Sequence, residues 1–218
     1  MHNLIETYKR NIIEQCSPSE NVQIVFNSDW NKLNPNEIKY ILIADNPGQI
    51  EKEKSRYLVG PAGLSTRVYF ERAFVSNFKK EVLVLNKTPI YSNTTSQLST
   101  VLKDLLEKSL SLTVQLIKDL VNLLNVPVII MGYSGGLTKY NDEKKLKLNS
   151  NLLNVFFQEF LNSMKTKDFK IISHFSRDSF YKSNITIEDY ENNPKELLLA
   201  QTRENDQFLR NAHPEFFD

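Results

Sequence analysis

The chain has 218 residues, of which 40% are hydrophobic and 24% charged, and its formal net charge is +1. Such a composition suits one folded domain, and no apolar run approaches the roughly 18–20 residues that cross a bilayer. A single cysteine, Cys16, excludes an intramolecular disulfide and any cysteine-ligated zinc or iron–sulfur site within one chain, and three histidines leave little material for a metal centre.

A single domain over residues 1–218 is therefore expected, without a membrane partner. The first residues lack the basic, apolar and small-residue zones of a signal peptide, so a cytoplasmic protein is expected, and a monomer. The near-neutral charge does not itself point to nucleic acid, although a local patch on a neutral protein can bind phosphate.

In chain order, residues 2–16 place Leu4, Ile5, Tyr8, Ile12 and Ile13 on one face of a helix. Residues 22–26 read as a strand or extended arm, and the NKLNPNE stretch around Pro35 as a loop, with Trp30 as a packing anchor. The first clear strand is 39–44. A glycine loop follows, and then a helix over about 65–78. Residues 81–85 form a second strand, which ends at Asn86-Lys87-Thr88-Pro89, where Pro89 forbids further ladder pairing. Two helical segments are expected within 97–125, broken near residues 109–111. Residues 126–131, VPVIIM, form a third strand of the continuously apolar kind that is buried on both faces. A Lys-rich loop leads to a helix over about 151–164, then a fourth strand over 169–173 and a last helix over about 194–210.

Strands that alternate with helices predict right-handed crossovers and an α/β fold, a three-layer α/β/α sandwich around a central, mainly parallel four-stranded sheet. The chain has only six glycines, and they fall after two strands: Gly48, Gly60 and Gly63 follow the first, and Gly132, Gly135 and Gly136 follow the third. Parallel topology brings Asp45, Asn46, Asn86, the 132–136 loop and His174 to one edge of the sheet, where such folds bind ligands. Singly these residues read as turn formers, strand closers or a hydrogen-bonded histidine. Together they resemble the makings of an active site, with a base, orienting amides and a group that stabilises negative charge.

The same residues resemble the uracil-DNA glycosylase superfamily. Asp45-Asn46-Pro47-Gly48-Gln49 is similar to the GxNPG motif of its mismatch-specific and single-strand-selective branches, in which the asparagine positions the attacking water. Residues 56–63, RYLVGPAG, resemble the GRPFVGxAG segment of the iron–sulfur branch, in which an acidic residue stands where Asp45 does. Asn86 resembles the strand-end asparagine that reads the uracil edge, and His174-Phe175-Ser176 the HPS motif. The likeness spans about residues 39–177. Three departures stand out: Leu58 replaces the phenylalanine that stacks on the base, Phe175 replaces a proline, and the cluster cysteines are missing.

The resemblance implies a monofunctional DNA glycosylase that removes uracil or another deaminated base in base excision repair, with DNA as partner. It implies Asn46, Asp45 and His174 as catalytic residues. Gly48, Gln49, Tyr57, Leu58 and Asn86 would hold the base, with the stacking falling to Tyr57, to Tyr91 or to no residue, and Ser176 and Arg177 would meet DNA. No metal, iron–sulfur cluster or organic cofactor is expected. The alternative is a catalytically weak DNA-binding or nucleotide-binding protein of the same fold. A nucleotide-binding enzyme with a Rossmann-type sheet is disfavoured because the first loop carries neither GxGxxG nor a Walker lysine.

Overall fold

Tyr40–Ala44 (β1) is a five-residue run, YILIA, with its last four side chains buried. Such a run, apolar on both faces, belongs inside a parallel sheet. Val82–Asn86 (β2) pairs with it in parallel, Tyr40 opposite Val82 and Ala44 opposite Asn86. Val128–Met131 (β3) pairs with the other edge of β1, and Phe169–Ile172 (β4) with β3, both parallel. The sheet order is β2-β1-β3-β4. The computed structural model describes residues 1–16, 22–94, 97–98, 101, 103–132, 154–164 and 169–172.

This order has a consequence for function. From β1 the chain moves outward to β2, then passes back over β1 to β3. The segments leaving the carboxyl ends of β1 and β3 therefore diverge, and a crevice opens between them at the point where the winding reverses.

The helices follow from apolar spacing. His2–Cys16 (α1) buries Ile5, Tyr8, Ile12 and Cys16 along one stripe and packs on Lys103–Leu124 (α5), where the Tyr8 hydroxyl meets Thr113 Oγ1 at 2.9 Å. Burial pushes the Cys16 thiol up to about 11, which leaves it un-ionised at neutral pH. Helix α5 in turn packs on Asn154–Met164 (α6), whose Phe156, Phe157 and Phe160 are fully buried. Between β1 and β2 lie Gln49–Lys54 (α2), Pro61–Ala73 (α3) and the single turn Phe78–Glu81 (α4). Phe70 of α3 stands edge-on to Tyr40 and Phe78 and tilted against Phe74, with ring centroids 5.5–6.3 Å apart.

Several expected boundaries move. Helix α3 begins at Pro61 instead of about residue 65, since proline's fixed φ suits a first turn and its missing N–H costs nothing there. Helix α2 was not expected at all. Residues 103–124 form one helix instead of two, because the suspected break is accommodated: Ser109 Oγ donates to Leu106 O at 2.8 Å and Ser111 Oγ to Glu107 O at 3.0 Å. Residues 22–26 contribute one antiparallel bridge, Ile24 to Ile90, and the loop around Pro35 holds two 3-10 turns, Ser28–Lys32 and Pro35–Glu37. Trp30 is 1% exposed, and its indole N–H donates to Val84 O at 2.7 Å. The expected helix over 194–210 and the Lys-rich loop lie outside the described residues. Among the described residues no helix is long and apolar enough to cross a membrane.

Glu81 ties α4 to its surroundings. Its carboxylate accepts from Ser76 Oγ and Ser76 N, both at 2.8 Å, and faces Lys39 Nζ at 3.1 Å. The Ser76 hydroxyl, aided by Lys39 and backbone N–H groups, lowers its pKa from the ordinary 4.5 to about 2. A carboxylate whose folded pKa is depressed contributes stability that is complete above the unfolded value and lost as pH falls through the folded one. Melting temperatures of the parent and of Glu81→Gln are thus expected to differ most above about pH 4.5 and to converge toward pH 2. A gap that does not depend on pH would show that the charge is not what matters.

Candidate functional site

At the carboxyl end of β1 lies a cleft of about 410 Å³, and Asp45, Asn46, Gly48, Gln49 and Leu58 all line it. Residues 60–63 at the start of α3 form one wall, and Ser92, Asn93 and Thr94 form another. Five expected site residues are therefore brought together.

Asp45 is the first residue past β1. Its carboxylate forms an ion pair with Lys87, the first residue past β2, and the Lys87 side chain is completely buried while that of Asp45 is 19% exposed. Lys87 Nζ also donates to Met131 O at 2.8 Å and Gly132 O at 3.2 Å, and stands 5.1 Å from the centre of the Phe157 ring. One ammonium thus joins the carboxyl ends of three strands. Gly132 fits this arrangement because its φ is +74° and because a Cβ there would lie 2.6 Å from Asp45 Oδ1.

Asn46 is oriented by its amide nitrogen. Nδ2 donates toward Ser92 Oγ at 2.9 Å, Pro47 O at 3.1 Å and Ser92 O at 3.2 Å. The wall behind it is held by the residue 22–26 arm, since Tyr91 N donates to Gln23 O at 2.9 Å and Val25 N to Pro89 O at 2.9 Å.

Residue 58 is locked by its backbone. Glu51 accepts from Gly48 N at 2.9 Å and from Leu58 N, while Arg67 Nε donates to Leu58 O at 2.9 Å and Arg67 Nη2 to Tyr57 O at 3.2 Å. Burial raises the Glu51 carboxyl above its ordinary pKa, against the opposing pull of these backbone N–H groups. Leu58 adopts φ +51°, and Gly63 packs so tightly beneath it that a Cβ would lie 2.1 Å from Leu58 C. Leu58 is 4% exposed and presents an aliphatic side chain to the cleft.

Two of the expected base-binding residues lie elsewhere. Tyr57 is a correction: its ring is 1% exposed, stands edge-on to Trp30 at 5.6 Å and sends its hydroxyl to Val25 O at 2.5 Å, so it belongs to the core and not to the cleft. The backbone between residues 57 and 58 turns, which sends the two side chains to different places. Asn86 is 3% exposed and does not line the cleft, yet it is the register partner of Ala44, which does. Its Oδ1 and Nδ2 are both buried, and neither has a hydrogen-bond partner among the described residues. Tyr91, the other stacking candidate, places its hydroxyl between Gln49 and Asn93, with Lys52 Nζ 4.4 Å from its ring centre. His174, Ser176 and Arg177 fall outside the described residues, as do Gly135 and Gly136.

Lys87, Glu51, Arg67 and Ser92 were missed. Two of them leave traces in the sequence: Lys87 stands directly after β2, whose first four residues, VLVL, are apolar, and Glu51 lies three residues past Gly48, the spacing of a reciprocal helix cap. Arg67 and Ser92 act across folds of the chain that no local spacing announces. Among the described residues there is no group of three or more His, Cys, Asp or Glu side chains able to hold a metal ion. No protein-family model matches the chain, and no curated protein is detectably similar to it in sequence.

Removing the partner of a buried charge typically costs about 3–5 kcal/mol. Asp45→Ala strands the Lys87 ammonium and is expected to lower unfolding free energy by about 3 kcal/mol. Lys87→Met retains the aliphatic stem and leaves a carboxylate with some access to water, so its cost should be smaller, and the double variant should cost less than the two singles added. Urea unfolding of the four proteins measures this. Strict additivity would show that the pair is not energetically coupled.

Proposed function

We propose that this chain is a monofunctional DNA glycosylase of the uracil-DNA glycosylase superfamily, hydrolysing the N-glycosidic bond of uracil or another deaminated base in DNA. The observation that carries this reading is Asn86. A buried polar group left without a partner costs about 1–3 kcal/mol, so a carboxamide beside the cleft with both ends unpartnered among the described residues suits a ligand that supplies them. The amide offers one acceptor and donors side by side, which complements the adjacent N3–H and O4 of uracil and mismatches the corresponding edge of cytosine. Since Asn86 is enclosed, the side chains around it must part as the base enters.

The topology is compatible with the three-layer sandwich of that superfamily. Right-handed crossovers put α2, α3 and α4 on one face of the sheet and α5 and α6 on the other. The winding order also puts Asp45 and Asn46 at the reversal crevice, where a flipped nucleotide has room.

In the reaction the nucleotide leaves the stack at a cost of a few kcal/mol, least for a mismatched or single-stranded base. As the bond breaks, the sugar gains cationic character and the departing base negative charge. Asn46 holds the attacking water, and Asp45, tethered through Lys87, faces the sugar as a fixed carboxylate. His174 donates a hydrogen bond to O2 of the base, the kind of contact typically worth about 10²–10³ in rate. Leu58 gives the pocket an aliphatic wall in place of a stacking ring. The chain acts on DNA as a monomer in this reading.

Oligonucleotides containing uracil, hypoxanthine or xanthine, treated with alkali after incubation to cleave abasic sites, test the activity. Release of at least one base is expected, with Asn46→Ala and His174→Ala lowering the rate by about 10²–10³ while DNA binding persists. Leu58→Phe should increase uracil excision. Binding of all three oligonucleotides without release would instead favour a catalytically weak DNA-binding or nucleotide-binding protein of the same fold.

A further inference from the structure

We infer that Ser92 is a positioning residue, whose hydroxyl fixes which end of the Asn46 carboxamide faces the wall of the cleft. The inference rests on the hydrolytic reading of this cleft for its catalytic consequence, but its geometric content stands on hydrogen bonding alone. Ser92 is 46 residues from Asn46 in sequence, is 7% exposed and lines the same cleft.

A hydroxyl has a single hydrogen, and that of Ser92 is committed: Oγ donates to Thr94 O at 2.8 Å. Toward Asn46, 2.9 Å away, Ser92 Oγ therefore acts as an acceptor. The other two atoms facing that end of Asn46, Ser92 O and Pro47 O, are carbonyl oxygens and can only accept. All three can only accept toward Asn46, so the nitrogen end of the carboxamide faces them and the oxygen end is turned away. The reverse orientation would set one oxygen against three acceptors.

The hydroxyl has the shortest of the three contacts and continues the chain Asn46 Nδ2–H to Ser92 Oγ–H to Thr94 O. Each bond in such a chain polarises the next. The backbone braces the same spot, since Ser92 N donates to Pro47 O at 3.2 Å. Ser92 thus does for Asn46 what Lys87 does for Asp45: each adjacent candidate catalytic side chain is held from a different segment that follows β2.

This assigns Asn46 a definite chemical sense, in which the nitrogen end of its amide is committed to the wall and the carbonyl end points away from it. The same geometry disfavours aspartate at residue 46. An ionised carboxylate offers no hydrogen to the three acceptors and would be driven from the wall.

Single-turnover base release from the oligonucleotide that the parent protein cleaves, measured alongside DNA affinity, tests the inference. Ser92→Ala is expected to slow release by roughly tenfold, about the worth of one hydrogen bond, with DNA affinity and melting temperature near those of the parent. Ser92→Thr, which keeps the hydroxyl, should release base faster than Ser92→Ala. In an Asn46→Ala background, Ser92→Ala should have no further effect. An unchanged release rate in Ser92→Ala, or rate losses that multiply in the double variant, would overturn the assignment. A second readout needs no substrate: hydrogen exchange of the Asn46 side-chain amide, followed by ¹⁵N NMR, should accelerate in Ser92→Ala. If the parent releases no base, the glycosylase reading fails on its own, and the exchange rate alone decides for or against Ser92.

Discussion

A lysine with no exposed side-chain surface is costly to place in a protein unless its charge is answered, and the answer given to Lys87 organises the carboxyl edge of the sheet. Its ammonium reaches across β1 from the end of β2 to two carbonyls at the end of β3. These are the strand ends between which the winding reverses. Without a counter-charge at residue 45 the arrangement would leave a cation in the interior, and without a glycine at 132 the carboxylate would have no place to lie. Three residues remote in sequence are thus mutually required, and their common product is a cleft floor that cannot drift as single loops do.

Around this floor the walls are set by backbone contacts more than by side-chain packing. Glu51 and Arg67 grip opposite sides of the same peptide segment, one taking the N–H of Leu58 and the other donating to its carbonyl. The left-handed conformation of Leu58, rare for a branched residue, persists because its surroundings over-determine it. Strain of this kind gathers where a side chain must be presented at a fixed angle. Residue 58 is in this way held as a fixed aliphatic surface at the cleft.

The fold was legible because its strands are extreme. Runs such as YILIA, VLVLN and VIIM admit few other readings, and helices between them force parallel pairing. The boundaries were less legible where side chains compete with the backbone. Serines at 109 and 111 suggest a break by composition, but inside a long helix their hydroxyls turn back on carbonyls of the preceding turn and the helix continues. At the site, Asp45 and Asn46 could be placed because they directly follow β1, and Leu58 because it belongs to the same loop segment, although α2 interrupts that segment. Tyr57 could not, since a reversal of backbone sign at the next residue decides whether a side chain enters the cleft or the core, and nothing in RYLVG states that sign. Lys87 was hidden for a different reason: composition suggests that lysines lie in water, and only the meeting of three strand ends makes an exception sensible.

Trp30 acts on a different scale. Strand β2 lies at the border of the sheet, where a row of outward carbonyls normally waits for a partner, and the indole N–H takes the one at Val84, with Asn27 Nδ2 3.5 Å from the same oxygen. A bulky ring seated there, buried to 1% exposure, stands where the backbone of an incoming strand would have to run. The residue that looked like simple core filling therefore also shields this border from recruitment by another chain. A protein with so apolar a sheet gains from that shielding in the crowded, partly unfolded conditions where exposed sheet borders seed aggregates.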